Sequence, residues 1–125
     1  ITHLGTPTRR PRLKAAQLQT AAFLALLETY HTTSKSPQHY AKMLGMTPTH
    51  LSRGTNQAVG HSASFLLSAR KMHAAKTLLA DTRIKVAQIS RDLGFSSAGY
   101  FTRSFQSHCH LSPTQFRTAS RGLVP

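Results

Sequence analysis

Acidic residues are almost missing from this 125-residue chain, which has only Glu28, Asp81 and Asp92. Acid–base catalysis by paired carboxylates needs more than that, and no nucleophile stands visibly beside a base. An enzyme is therefore the poorer reading. Cysteine is equally scarce: Cys109 stands alone, which excludes a disulfide framework and fits a reducing, intracellular setting. No apolar run reaches the roughly 18 residues that a membrane-crossing helix requires. Alternating strand-like patterns are absent too, so the fold is expected to be all-α. The chain opens on Ile1, with neither Met nor a signal-peptide pattern, and is expected to be a fragment of a longer protein.

What is present is positive charge. Lys and Arg number 16 against 3 acids, a formal net charge of +13. Such an imbalance calls for a polyanionic partner, either nucleic acid or an acidic membrane surface. Hydrophobic residues make up 39% of the chain, which argues against disorder. Residues 1–14 carry Gly5, Pro7, Pro11 and four basic residues without an apolar period, and read as a basic linker or arm. Residues 15–125 read as one domain with a modest core.

Within that domain, Phe23, Leu26, Leu27 and Tyr30 fall at helical spacing, predicting a helix from Ala15 to about His31. Ser36-Pro37, Thr47-Pro48 and Ser112-Pro113 each place a capping hydroxyl before a proline at the first helical position. They predict helices ending near Leu44, near Ala58 and after Phe116. A longer helix is expected over about 62–80, with Phe65, Ala69, Met72 and Leu79 on its apolar side.

The stretch IKVAQISRDLGFSSAGYFTRSFQ is the most informative. Val86, Ile89 and Leu93 form one helical stripe, Gly94 stops it, and Ser96 or Ser97 can cap the next helix. In that helix Phe101 and Phe105 face inward, leaving Ser97, Gly99, Thr102, Arg103 and Gln106 outward. Helix, tight turn and a second helix with a polar, basic face is the pattern of a helix-turn-helix. It occurs twice: Leu44-Gly45 recurs as Leu93-Gly94, Ser52-Arg53 as Thr102-Arg103, and Gly60 aligns with His110. The duplication divides the domain into a first unit over about 15–61, a connecting helix over 62–80 and a second unit over about 81–121.

On these residues, above all DLGFSSAGYFTRSFQSHCHLSPTQFR with Arg70, Ala74, Leu78 and Leu79 of the connecting helix, the sequence resembles the DNA-binding domain of the AraC/XylS family of bacterial transcription regulators. The resemblance implies about seven helices in two helix-turn-helix subdomains. It also implies a second helix of each unit in the major groove, at two adjacent sites of double-stranded DNA roughly 34 Å apart. Activation of transcription, RNA polymerase as a partner, a separate N-terminal effector or dimerisation domain and a cytoplasmic location are implied with it. Departures fall at Gly54 and Thr55, where the family has a large apolar residue and Phe. Their presence predicts a loosely packed first recognition helix that Gly54→Leu would stiffen. Ser90 replaces a small Ala, and Cys109-His110 an aromatic-Gly pair.

The family's base-facing positions fall on Thr49, His50, Ser52 and Arg53 in the first unit. In the second they fall on Ala98, Gly99, Thr102 and Arg103, with Ser97 beside them. Arg can bond guanine O6 and N7 together, so Arg53 and Arg103 are the sharpest candidates. Lys35, Lys42, Arg83, Lys85 and Arg91 suit phosphates, and Asn56 suits a phosphate or an adenine edge. No cofactor and no metal are expected: His108, Cys109 and His110 are adjacent, without a second ligand pair at suitable spacing. The alternative reading is a non-specific basic RNA- or ribosome-binding helical protein, which explains the charge but not the duplicated turn. A DNA alkylation-repair enzyme would need a reactive cysteine cluster.

Overall fold

The computed structural model describes residues 6–122, with side chains from residue 11 onward. Seven helices, and no strand among these residues, follow in order: α1 (Thr6–Tyr30), α2 (Pro37–Met43), α3 (Pro48–Val59), α4 (Ala63–Asp81), α5 (Val86–Asp92), α6 (Ala98–Cys109) and α7 (Pro113–Ser120). The all-α expectation holds. Three of the expected caps hold as well, while at the fourth Ser36 Oγ pairs with His39 Nδ1 at 3.0 Å instead. Thr47 Oγ1 accepts from His50 N at 3.1 Å, Ser97 Oγ from Tyr100 N at 3.0 Å, and Ser112 Oγ from Gln115 N at 3.1 Å. Each bond satisfies one of the amides that a helix leaves free at its start.

The basic linker or arm expected over 1–14 is helical from Thr6, where α1 begins, and the helix runs through Pro11. From Leu13 onward the chain is rich in Leu, Ala and Gln, which favour helix. Extending an existing helix costs far less than nucleating one, and Pro11 gives up a single backbone bond. Residues 1–5 lie outside the described residues.

The chain divides into two compact units, one of residues up to Tyr30 with Lys35–Leu67, the other of His31–Ser34 with the chain from Ser68. In the first, Phe23 and Leu27 of α1 meet Tyr40 and Ala41 of α2, Leu51 of α3, and Ala63 and Leu67 of α4. The Phe23 and Tyr40 rings meet edge to face, with centroids 5.5 Å apart. In the second, Met72, Ala75 and Leu79 of α4 close over Ile89, Leu93, Phe101 and Phe105, with Phe95 and Phe116 half-buried at the margin. Each fully buried Phe contributes about 1.5–3 kcal/mol relative to exposure.

The α4 stripe differs from expectation. Met72 and Leu79 are buried, but Phe65 is 44% exposed and its ring stacks on His61 at 4.2 Å. The buried face runs instead through Ala63, Leu67, Lys71, Ala75 and Leu79, and the Phe65 side falls outside it. Further on, Arg117 ties α7 to the end of α4, donating through Nε to Leu79 O at 3.0 Å and through Nη2 to Ile84 O at 2.6 Å. Arg121 Nη2 donates to Thr82 O nearby. The Ser-Pro and aromatic-Arg part of the motif therefore does structural work, closing the second unit around its core.

Candidate nucleic-acid interface

In the first unit, α2, a turn at Gly45 and α3 form a helix-turn-helix. Leu51, Gly54 and Thr55 face inward, and α3 leaves Thr49, His50, Arg53, Asn56 and Gln57 exposed. Thr55 is fully buried, and its Oγ1 donates to Ser52 O at 3.1 Å, so its hydroxyl is satisfied inside the helix. Gly54 packs against α1: a Cβ there would stand 3.0 Å from Gln19 Oε1. The loose packing expected from these two residues is therefore corrected. Leu51 and Thr55 hold the helix by their burial, and Gly54 faces the Gln19 side chain of α1.

The expected contact residues of this unit divide. Thr49, His50 and Arg53 share the exposed side of α3. Gln19 Nε2 lies 3.2 Å from His50 Nε2, so the amide donates and the ring nitrogen accepts. Ser52 turns away: it is half-buried, and its hydroxyl accepts from Ala63 N at 3.3 Å, anchoring the start of α4. Asn56 is exposed, with Nδ2 donating to Ser52 O at 2.9 Å. Lys42 is exposed in the last turn of α2, and half-buried Lys35 places its Nζ 5.5 Å from the Tyr30 ring centroid.

In the second unit α5, a turn at Gly94 and α6 repeat the arrangement, with Phe101 and Phe105 buried. Gly94 has φ +81°, and a Cβ there would meet Thr33 O at 2.3 Å, so no other residue fits this turn. Ala98, Gly99 and Arg103 are exposed, while Thr102 is half-buried. The Arg103 guanidinium folds back along the helix, its Nη1 3.4 Å from where a Gly99 Cβ would be. Gly99 thus clears space for the arginine as well as permitting close approach. Ser97 is exposed, but its hydroxyl oxygen serves the helix cap. Arg83, Lys85 and Arg91 are exposed around α5, and Arg91 Nη2 donates to Gln88 Oε1 at 2.7 Å.

Three residues here escaped the sequence reading. Tyr100 is 52% exposed beside Arg103 on α6, and only its place in the motif had drawn attention. Arg12 and Gln19 of α1 line a cleft with His50, Arg53, Gly54 and Gln57. Read as part of a basic linker or arm, Arg12 gives no sign in the sequence that it faces α3. The His108–His110 cluster is spoken for locally: His108 Nδ1 donates to Ser104 O at 2.9 Å, and His110 ends α6. Cys109 packs at the edge of the second core, where burial pushes its thiol pKa up.

Two helix-turn-helix units, each showing a short basic helix to solvent, define a double helix-turn-helix DNA-binding domain. A family model described as a helix-turn-helix domain matches residues 40–119. The arabinose operon regulatory protein of Escherichia coli K12 is 32% identical over 84 residues, covering 67% of this chain and 29% of its own length. The transcriptional activator AggR of Escherichia coli is 42% identical over 53 residues, covering 42% of this chain and 20% of its own. Among solved structures, the C-terminal domain of AraT, a response regulator from Geobacillus stearothermophilus, superposes with a TM-score of 0.73 at 25% identity. That match covers 87% of this chain and 85% of AraT's domain. The chain belongs to the AraC family of bacterial transcription regulators, as its DNA-binding domain. It spans less than a third of the length of the curated relatives it matches. Among the described residues no helix is long and apolar enough to cross a membrane.

Proposed function

We propose that this domain reads a specific duplex DNA sequence for a bacterial transcription activator, with α3 and α6 entering the major groove at two adjacent sites. The observation that carries the reading is the pairing of Arg53 and Arg103. Each sits exposed on the second helix of its unit, above a buried face that fixes the helix in place. On α6 the reading rests on Arg103 and Thr102, with Ala98 and Gly99 providing a thymine-methyl contact and close approach. On α3 it rests on Thr49, His50 and Arg53. Lys42, Arg83, Lys85 and Arg91 serve backbone phosphates, which set register without reading sequence. The names of the relatives support activation, and with it RNA polymerase as a partner. An effector or dimerisation domain elsewhere in the full-length protein, a cytoplasmic location and the absence of catalysis complete the proposal.

The test is selection of bound sites from a random duplex pool, with structured RNA as competitor at moderate salt. A recurring two-part motif is the expected result. Binding that prefers the RNA, or recovers no motif, would refute the proposal.

A further inference from the structure

A cleft of about 310 Å³ opens between the N-terminal half of α1 and the exposed side of α3. Arg12, Ala15, Gln19, His50, Arg53 and Gln57 line it, and no carboxylate is among its lining residues. Arg12, Ala15, Ala16 and Gln19 follow one another at helical spacing, so α1 turns a single stripe toward α3. Gly54 lies on the α3 side of the cleft, facing the Gln19 side chain. Two arginines therefore border one cleft together with a histidine and two amide side chains. Like charges gathered without an acid are stabilised by an anion, and a guanidinium fork matches the oxygens of a phosphate. Arg12 also precedes the region that matches the helix-turn-helix family, residues 40–119.

We infer that Arg12 binds a backbone phosphate of duplex DNA on the flank of the site read by α3, making α1 a third DNA-contacting helix. The inference rests on the DNA-binding reading above. Arg12 sits on α1 rather than on the reading helix, set to one side of it. From there it reaches the sugar–phosphate edge, so its contribution is to position and not to specify. Because α1 is a continuous helix from Thr6 to Tyr30, the phosphate-binding group is held on a rigid element.

The experiment measures affinity against salt for the wild-type domain, Arg12→Ala and Arg12→Lys, on the selected operator and on random duplex DNA. Each phosphate neutralised contributes about 0.9 to the slope of log affinity against log salt. Arg12→Ala should reduce the slope by about that amount on both DNAs. A fourfold rise in salt then costs the wild type roughly 3.5 times more affinity than it costs the variant. Arg12→Lys should retain the slope, and the ranking of operator variants should not change. An unchanged slope in Arg12→Ala would overturn the inference, as would an effect confined to one base position. If the wild type selects no sequence and the slope on random duplex still falls with Arg12→Ala, the phosphate contact stands and the sequence-specific reading fails.

Discussion

Lys71 Nζ donates to the carbonyl oxygen of Leu93 at 2.5 Å, placing a lysine inside the otherwise apolar buried stripe of α4. The same ammonium donates to Thr33 O at 2.7 Å and lies 5.3 Å from the Phe95 ring centroid. Leu93 closes α5 and leads into the Gly94 turn. Lys71 thus braces the turn of the second helix-turn-helix through two carbonyls and one aromatic face, and these contacts offset part of its desolvation.

Burial lowers the Lys71 pKa from 10.5 to about 8, which gives stability a pH dependence of definite sign. Below pH 8 the folded and unfolded chains both carry the proton, and nothing changes. Between about 8 and 10.5 the folded chain releases it while the unfolded chain retains it, so unfolding free energy rises with pH. Tyr40 and Cys109 act the other way, because burial raises both pKa values: stability is lost as pH climbs past 9 for the thiol and past 10 for the phenol. The window in which Lys71 dominates is therefore pH 7.5 to 9. Urea unfolding across it should show a gain on the order of 1 kcal/mol, and Lys71→Met should remove that gain. A wild-type midpoint that falls across the window would contradict the assignment.

Such a lysine shows which parts of the molecule the sequence discloses. Caps, proline starts and the Gly94 stop act over three or four residues, and Ser97, Thr47 and Ser112 fill the roles their local order dictates. The aromatic pair Phe101 and Phe105 is legible for the same reason. What is hidden depends on partners distant in the chain. Lys71 is buried only because Thr33 and Leu93 point carbonyls at it. Gly54 looks like a weakness until Gln19 is seen against it. Ser52 shares the period of the exposed residues, yet its hydroxyl is claimed by the start of α4.

Gly54 carries the second stability prediction. From sequence, Gly54→Leu would stiffen α3. In the structure a first side-chain carbon already stands 3.0 Å from Gln19 Oε1, so Gln19 must move, and the contact it makes with His50 goes with it. Gly54→Leu should bring no net stabilisation, because losing the Gln19–His50 contact offsets the gain in helix propensity. Gly54→Ala should be mild, because only the flexible end of Gln19 must yield. Thermal unfolding of both variants decides the matter, and a stabilised Gly54→Leu would restore the sequence-based expectation.

His110 ends α6 at φ 65°, a left-handed conformation that Gly60 adopts at the matching end of α3 with φ 77°. Its amide closes the helix by donating to Gln106 O at 2.8 Å, so the position is needed but the side chain is strained there. His110→Gly should raise stability by about 1 kcal/mol, less the extra freedom glycine has when unfolded. Melting temperature reads the gain, and affinity for the selected operator should not change. A lower melting temperature would show that the His110 ring contributes more than its backbone costs.

The last prediction compares the two reading arginines. Sequence alone makes Arg53 the weaker contributor, since a loosely held α3 would lose more freedom on docking. The structure removes that premise: Leu51 is 1% exposed and Thr55 is fully buried, as are Phe101 and Phe105 under α6. Both helices are anchored by buried side chains, so neither contact is heavily discounted by ordering. Arg53→Ala and Arg103→Ala should each cost about 1–3 kcal/mol on the selected operator, and each should relax a different base position. Their effects should add in the double variant, because the two side chains belong to different units. Titration of the three variants against operators altered at single positions supplies the measurement. An arginine whose loss weakens every sequence equally would be a phosphate contact instead, and the unit bearing it would position the domain without reading DNA.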